Sequence, residues 1–113
     1  MTYQVTIQPE AFQEIEQSYR WLCDNRTPDS ANDWYNDLQE AIASLKTFPR
    51  RCPIAPEASF FDREVRQLVM GKRSEYRILY VVEDDDFRSV RDQRVSILHI
   101  RHSRQSRSFE EEE

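Results

Sequence analysis

The sequence has little of several residue types on which common functional sites depend. Its 113 residues include one glycine, two cysteines and two histidines. A single glycine excludes the glycine-rich loops that cradle nucleotide phosphates. No apolar run approaches the roughly 20 residues needed to cross a bilayer, and we expect no signal peptide. Cys23 and Cys52 lack metal-ligand spacing, so we expect two reduced thiols, as in a cytoplasmic protein. We also expect no cofactor.

The net charge of −5 is unevenly distributed along the chain. Residues 1–62 carry five Lys/Arg against ten Asp/Glu, whereas residues 63–109 carry eleven against seven. A positive second half favours an anionic partner, although the overall negative charge disfavours nucleic acid. The length predicts one domain over residues 1–109, and the four glutamates at 110–113 are predicted to form a disordered acidic tail.

Hydrophobic periodicity in the first half predicts one strand and two helices. Alternating apolar residues at 2–8 indicate a half-buried strand, and helical spacing follows over 9–25. Thr27 and Pro28 are typical of a helix start, and the second apolar stripe ends near Phe48. The short link between these helices predicts a helical hairpin.

The second half reads as a loop followed by three strands. Residues 49–62 contain three prolines, and strand-like runs follow at 64–70, 75–85 and 94–102. The order β-α-α-β-β-β predicts an α+β fold, with the hairpin on one face of a small, mostly antiparallel sheet. In the predicted core, the second helix packs on the strands through Trp34, Leu38, Ile42 and Leu45 against Ile78, Tyr80 or Val82 and against Leu98 or Ile100.

Arg77 lies within the otherwise apolar run "EYRILYVV", on the same face as Leu79 and Val81. An arginine there must be paired or reach solvent, because burying it alone is costly. One interpretation is a salt bridge with Glu75 or Glu64, or a stem lying along apolar surface. The other is an anion-binding or partner-contact group on the open face of the sheet.

The last predicted strand ends in a basic run, "ILHIRHSRQSRSF". Alternation places His99 and Arg101 on one face and His102 on the other, so the histidines cannot chelate one metal ion and we predict no metal site. His99 is either a histidine at the core edge or an acid–base group. The run would form one basic surface with Arg77. The acidic residues 83–86 are predicted to form a solvated loop.

Four fragments resemble the ParE/RelE superfamily of small bacterial toxins. They are "VTIQPEAFQEIEQSYRWL", "LKTFPRRCPIAPE", "VRQLVMGKRSEYRILYVV" and "VSILHIRHSR", and the resemblance runs over about residues 3–104. It implies the toxin of a type II toxin–antitoxin pair, of the kind associated with plasmid stabilisation. An antitoxin protein is then the expected partner, and no membrane partner is expected.

The two branches of the superfamily imply different targets. RelE-like members cut messenger RNA on the ribosome, whereas ParE-like members inhibit DNA gyrase. Cleavage through the RNA 2′-hydroxyl needs a base, an acid and cations for the phosphorane. Resemblance to RelE would place the arginine of its tyrosine–arginine strand at Arg77 and its further basic groups at Arg101 or Arg104. At the position of the RelE tyrosine stands Phe109, which has no hydroxyl to transfer a proton, and His99 and His102 are the candidate substitutes.

The segment "HIRHSR" at the end of the last fragment resembles ParE more than RelE. The first hypothesis is therefore a ParE-like toxin that acts by binding, with contact residues Arg77, Arg101, His102 and Arg104. The alternative is an mRNA endonuclease with candidate catalytic residues Arg77, His99, Arg101, His102 and Arg104. A third hypothesis is a non-toxic domain that only binds its antitoxin. The first and third predict no enzymatic activity.

Overall fold

A computed structural model of the chain describes residues 2–71, 75–83 and 93–102. Several predictions fall outside these ranges. They concern Arg104, Phe109, the tail at 110–113 and most of the acidic run at 83–86.

The predicted order of the helical hairpin and the four strands is confirmed. The elements are β1 (Gln4–Ile7), α1 (Pro9–Asn25), α2 (Pro28–Ser44), a 3₁₀ turn (Pro49–Arg51), the one-turn helix α3 (Ala58–Phe61), β2 (Arg66–Met70), β3 (Tyr76–Glu83) and β4 (Arg94–His102). The segment predicted as a loop at 49–62 thus contains two short helical turns. Neither is long enough to show an apolar period in the sequence.

Local signals set the ends of the two long helices. Each begins with a proline in its first turn, where a missing backbone N–H costs nothing. The Thr27 hydroxyl oxygen accepts a hydrogen bond from the Ser30 N–H at 3.0 Å and so caps α2. The α1 helix ends where the Arg26 N–H donates to the Leu22 carbonyl, and the chain turns back into α2.

The sheet has the strand order β1-β4-β3-β2. Strand β1 runs parallel to β4, whereas β3 is antiparallel to both β4 and β2. The sheet is therefore mostly antiparallel, as predicted. Parallel neighbours require a crossover connection, which here includes the helical hairpin. Strand β1 pairs with β4 only from Arg94 to Ile97, so the second half of β4 extends beyond this neighbour.

A β-bulge divides β4 into two registers. Tyr80 lies opposite Ile97, but the preceding Leu79 lies opposite His99, so Leu98 is an extra residue. Ile97 and Ile100 consequently both face the helices, although they are three positions apart.

The main core lies between the hairpin and one face of the sheet, as predicted. Leu38 and Leu45 are completely buried, and they belong to one cluster with Ile78, Tyr80 and Ile100. Of the two residues predicted as alternatives in β4, Ile100 belongs to this core and Leu98 does not, because the bulge turns Leu98 to the opposite face.

The opposite face of the sheet is partly covered. A second cluster joins the strands to the segment between the hairpin and β2, and its members are Ala55, Val65, Leu79 and Val81 with Ala58, Phe61 and Leu98. The prediction of an open face is therefore wrong for this part of the sheet. The covering segment is irregular and short, so periodicity gave no sign of it.

Cys23 and Cys52 are both free thiols. Within the described part of the chain, the helices are too short or too polar to span a membrane.

Candidate functional site

Three of the predicted site residues come together on the opposite face of the sheet. Arg77 on β3 lies directly across from Arg101 on β4, and His99 precedes Arg101 on the same face. The bulge at Leu98 produces this arrangement, because strict alternation from Ile97 would have turned both His99 and Arg101 towards the helices. Cross-strand neighbours lie about 4.5–5.5 Å apart at Cβ, so the two guanidinium groups need counter-charges.

Glu57 supplies the counter-charge for Arg77. Arg77 donates through Nη1 to Glu57 Oε1 at 2.8 Å and through Nη2 to Glu57 Oε2, a two-pronged contact. Its Nη1 also donates to the Gln67 side-chain oxygen at 2.8 Å. Glu57 is only 3% exposed. The predicted salt bridge therefore exists, but the predicted partners Glu75 and Glu64 are wrong.

The surroundings of Glu57 favour the ionised form of its carboxyl group. Burial by itself raises the pKa of the Glu57 carboxyl. Hydrogen bonds from Arg77 and from the Glu57 backbone N–H, together with the charges of Arg77 and Arg101, outweigh burial and hold the pKa below its usual range. Glu57 is thus a fixed negative charge at neutral pH.

Glu14 supplies a second carboxylate from the other side. Its helix, α1, passes the part of β4 that extends beyond β1, where the Ile100 N–H donates to Glu14 Oε1 at 3.0 Å. The same carboxylate accepts from Arg101 Nη1 at 3.3 Å and lies 3.1 Å from His99 Nδ1. Glu14 therefore satisfies an edge N–H and also neutralises part of the basic strand end.

We call Glu14, Glu57, Arg77, His99 and Arg101 the charge network. Arg101 is 9% exposed, and the side chain of Arg77 is 11% exposed. The His99 ring also packs against Phe61, with ring centroids 5.7 Å apart. The network is a compact, largely buried group of opposite charges, in place of the open basic surface that the sequence suggested.

His102 lies apart from the charge network. It faces the helices, with its ring edge-on to Tyr76 at a centroid distance of 5.1 Å. The prediction that the two histidines point to opposite faces is therefore confirmed. Among the described residues, no group of three His, Cys, Asp or Glu could hold a metal ion.

Sequence reasoning missed the two carboxylates of the charge network. Glu14 could have been recognised from the sequence. It lies three residues after Ala11, and therefore on the buried side of α1, which also includes Leu22. A carboxylate at such a position implies a partner at the facing strand. Glu57 could not have been recognised, because it lies in an irregular segment.

A shallow cleft borders the network. It has a volume of about 270 Å³ and is lined in part by Phe61, Arg63, Leu98 and His99. Pockets for small-molecule ligands usually have about 300–1,000 Å³ and are mostly apolar. The cleft is too small and too polar to favour a small-molecule substrate.

The chain is similar to known proteins in sequence and in fold. The sequence profile of a family described as "ParE toxin of type II toxin-antitoxin system, parDE" matches residues 5–107. No curated protein sequence matches the chain. The fold is similar to a solved structure, "Chromosomal ParDE TA system from P. aeruginosa", with a TM-score of 0.66 and 15% sequence identity. That similarity covers 89% of this chain and 96% of the other, and at this identity it establishes the fold alone.

Proposed function

Since the chain belongs to the ParE family of toxins of type II toxin–antitoxin systems, we propose that it acts by binding and inhibiting DNA gyrase. The family implies an antitoxin partner, and we propose that a cognate antitoxin neutralises the toxin in the cytoplasm. The resemblance to the ParE/RelE superfamily seen in the sequence is confirmed, on the ParE side.

We favour a binding protein over a nuclease because Arg77 and Arg101 are each paired with a carboxylate. A ribonuclease needs cations that can approach the phosphorane as its charge develops. Arg77 instead holds the buried carboxylate of Glu57 with both terminal nitrogens, and Arg101 contacts Glu14. A phosphate would have to displace these carboxylates, at the cost of leaving a buried charge unpaired.

The same geometry refines the proposed contact residues. Arg77 and Arg101 are largely buried, so we assign them a positioning role, in which they hold the segment before β2 and the α1 helix against the sheet. His102 is partly exposed at the end of β4 and, with Arg104 beyond it, remains our candidate for direct contact with a partner. The two alternatives, an mRNA endonuclease and a non-toxic antitoxin-binding domain, are outcomes of the test below.

The test is inhibition of DNA supercoiling by purified DNA gyrase. We expect the protein to inhibit supercoiling in a dose-dependent manner, and we expect the antitoxin encoded beside its gene to reverse the effect. Controlled expression in cells, with growth, DNA damage response and mRNA integrity scored together, extends the test. Growth arrest with degraded mRNA and active gyrase would favour the endonuclease, and normal growth would favour the non-toxic domain.

A further inference from the structure

Phe48, just beyond the end of α2, exposes more of its surface than any other large apolar side chain that the structure describes. It is 78% exposed, compared with 62% for Phe12 and 54% for Trp21. An aromatic ring left in water forgoes the stabilisation that burial would give it. Folding alone therefore provides no reason for an aromatic residue at this position.

The backbone of Phe48 is also strained. Its φ of 49° and ψ of 56° lie in the left-handed region, which bulky side chains rarely adopt. The following residue is Pro49, whose ring favours an extended conformation in the residue before it. Such strain persists only where surrounding contacts enforce it, and it is concentrated at functional positions.

Two sets of contacts enforce this conformation. The Arg51 guanidinium donates through Nη1 to the carbonyls of Ser44, Thr47 and Phe48 at 3.2, 2.9 and 3.2 Å. Its Nη2 donates to the Ser44 hydroxyl at 2.9 Å, so one side chain caps the end of α2. On the other side of Phe48, the buried Tyr80 hydroxyl donates to the Pro49 carbonyl at 2.5 Å. Hydrogen bonds therefore hold the backbone on both sides of the exposed ring.

The charge around Phe48 differs from that of the surrounding half of the chain. Residues 1–62 carry five Lys/Arg, and three of these, Lys46, Arg50 and Arg51, lie within three positions of Phe48. All three are exposed. An aromatic ring beside cationic side chains is complementary to an apolar pocket with an acidic rim.

We propose that Phe48, flanked by Lys46 and Arg50, is an anchor that inserts into such a pocket on the toxin's folded protein target. This assignment rests on the proposed function. A rigid, preformed aromatic anchor suits a folded partner with a preformed pocket, where few such residues carry most of the binding energy. A segment that folds as it binds, as expected of the antitoxin, instead spreads its contacts over a large surface.

The test compares single variants for binding to purified DNA gyrase and to the cognate antitoxin. We expect Phe48→Ala to weaken gyrase binding at least about tenfold, since anchor residues carry a large share of the affinity. Phe48→Tyr keeps the ring and should bind nearly as the natural protein does. Phe12→Ala removes an exposed aromatic residue from the regular helix α1 and is the matched control, with no expected effect.

A fold control separates lost contact from lost structure. Phe48→Asn removes the ring but tolerates the left-handed backbone. We expect it to melt at the same or a higher temperature than the natural protein while binding gyrase as poorly as Phe48→Ala. A substantial fall in its melting temperature would identify Phe48 as a structural residue and overturn the assignment.

The remaining outcomes separate this inference from the proposed function. Equal gyrase binding by the natural protein and Phe48→Ala would overturn the anchor alone. A loss of antitoxin affinity with unchanged gyrase affinity would also overturn it, because the ring would then belong to the antitoxin interface. If the natural protein did not bind gyrase at all, gyrase would be rejected as the target, and the role of Phe48 as an anchor for it would be rejected too.

Discussion

At the scale of single residues, Glu14 and Glu57 determine how much of the basic charge on β3 and β4 is available to a partner. Arg77, His99 and Arg101 share one face, as the sequence predicted, but Arg77 pairs with Glu57, Arg101 pairs with Glu14, and His99 also contacts Glu14. Alternation along a strand predicts which face a side chain occupies, whereas the partner across that face comes from another part of the chain. That His99 and Arg101 share a face was therefore predictable from the sequence, whereas the bulge that turns them away from the helices and the carboxylates that contact them were not.

Replacing one member of the Glu57–Arg77 pair should destabilise the protein strongly. Arg77→Ala leaves the buried Glu57 carboxylate without its counter-charge, and breaking such a pair costs about 3–5 kcal/mol. Urea unfolding at neutral pH measures this loss. Arg63→Ala is the control, because Arg63 and Glu83 form an exposed pair, for which about 0–1 kcal/mol is expected. A loss for Arg77→Ala no larger than for the control would contradict the buried pair.

The pH dependence of stability follows from the lowered pKa of Glu57. Its contribution is fully present above the ordinary carboxyl value of 4.5, and it is lost as the pH falls through the lowered pKa. The free energy of unfolding should therefore be higher for the natural protein than for Glu57→Gln at neutral pH. This difference should narrow as the pH falls below 4.5. Glu64→Gln, at an 82% exposed side chain, should show little difference at any pH.

At the scale of elements, the long regular segments were predictable and the short irregular ones were not. The two long helices left a periodic pattern of apolar residues, because each buries one face, whereas β3 and β4 left apolar runs that are buried on both faces. The α3 turn is only four residues long, and the bulge at Leu98 inserts a single residue. Neither changes a local pattern enough to be recognised, yet together they decide what covers Arg77 and where His99 points.

The packing of α2 on the sheet gives a prediction at this scale. Leu38 is completely buried at the centre of the main core. Leu38→Ala should lower the free energy of unfolding by roughly 2–5 kcal/mol, from lost burial and the cavity left behind. Gln39→Ala, at an exposed position of the same helix, should change it by less than about 0.5 kcal/mol. Similar effects of the two substitutions would contradict the helix orientation described above.

At the scale of the whole molecule, the exposed positive charge does not follow the division into an acidic first half and a basic second half that the sequence shows. The second half of the chain is basic, but Arg77 and Arg101 of its strands are largely buried and contact carboxylates from the first half. Exposed basic residues of the first half are instead concentrated beside Phe48. Net charge by segment describes the sequence, whereas contact between segments decides which charges reach a partner.

The last prediction separates a binding toxin from a nuclease. We expect the purified protein, added to translating ribosomes, to leave mRNA intact at concentrations that inhibit DNA gyrase. A RelE-type endonuclease in the same ribosome preparation serves as the positive control for cleavage. Phe109→Tyr restores a terminal hydroxyl but should not create strong activity, because Arg77 and Arg101 remain paired with Glu57 and Glu14.

The opposite result has a distinct signature. A catalytic arginine acts in the transition state, so its removal should slow cleavage by about 10²–10³-fold. Arg77→Ala alone is a poor probe, since it also leaves Glu57 unpaired. The paired change Arg77→Met with Glu57→Gln removes both charges and is expected to retain the fold. Codon-specific cleavage by the natural protein, lost in this folded double variant, would overturn the binding mechanism, because an arginine used only for positioning has no chemical step to slow.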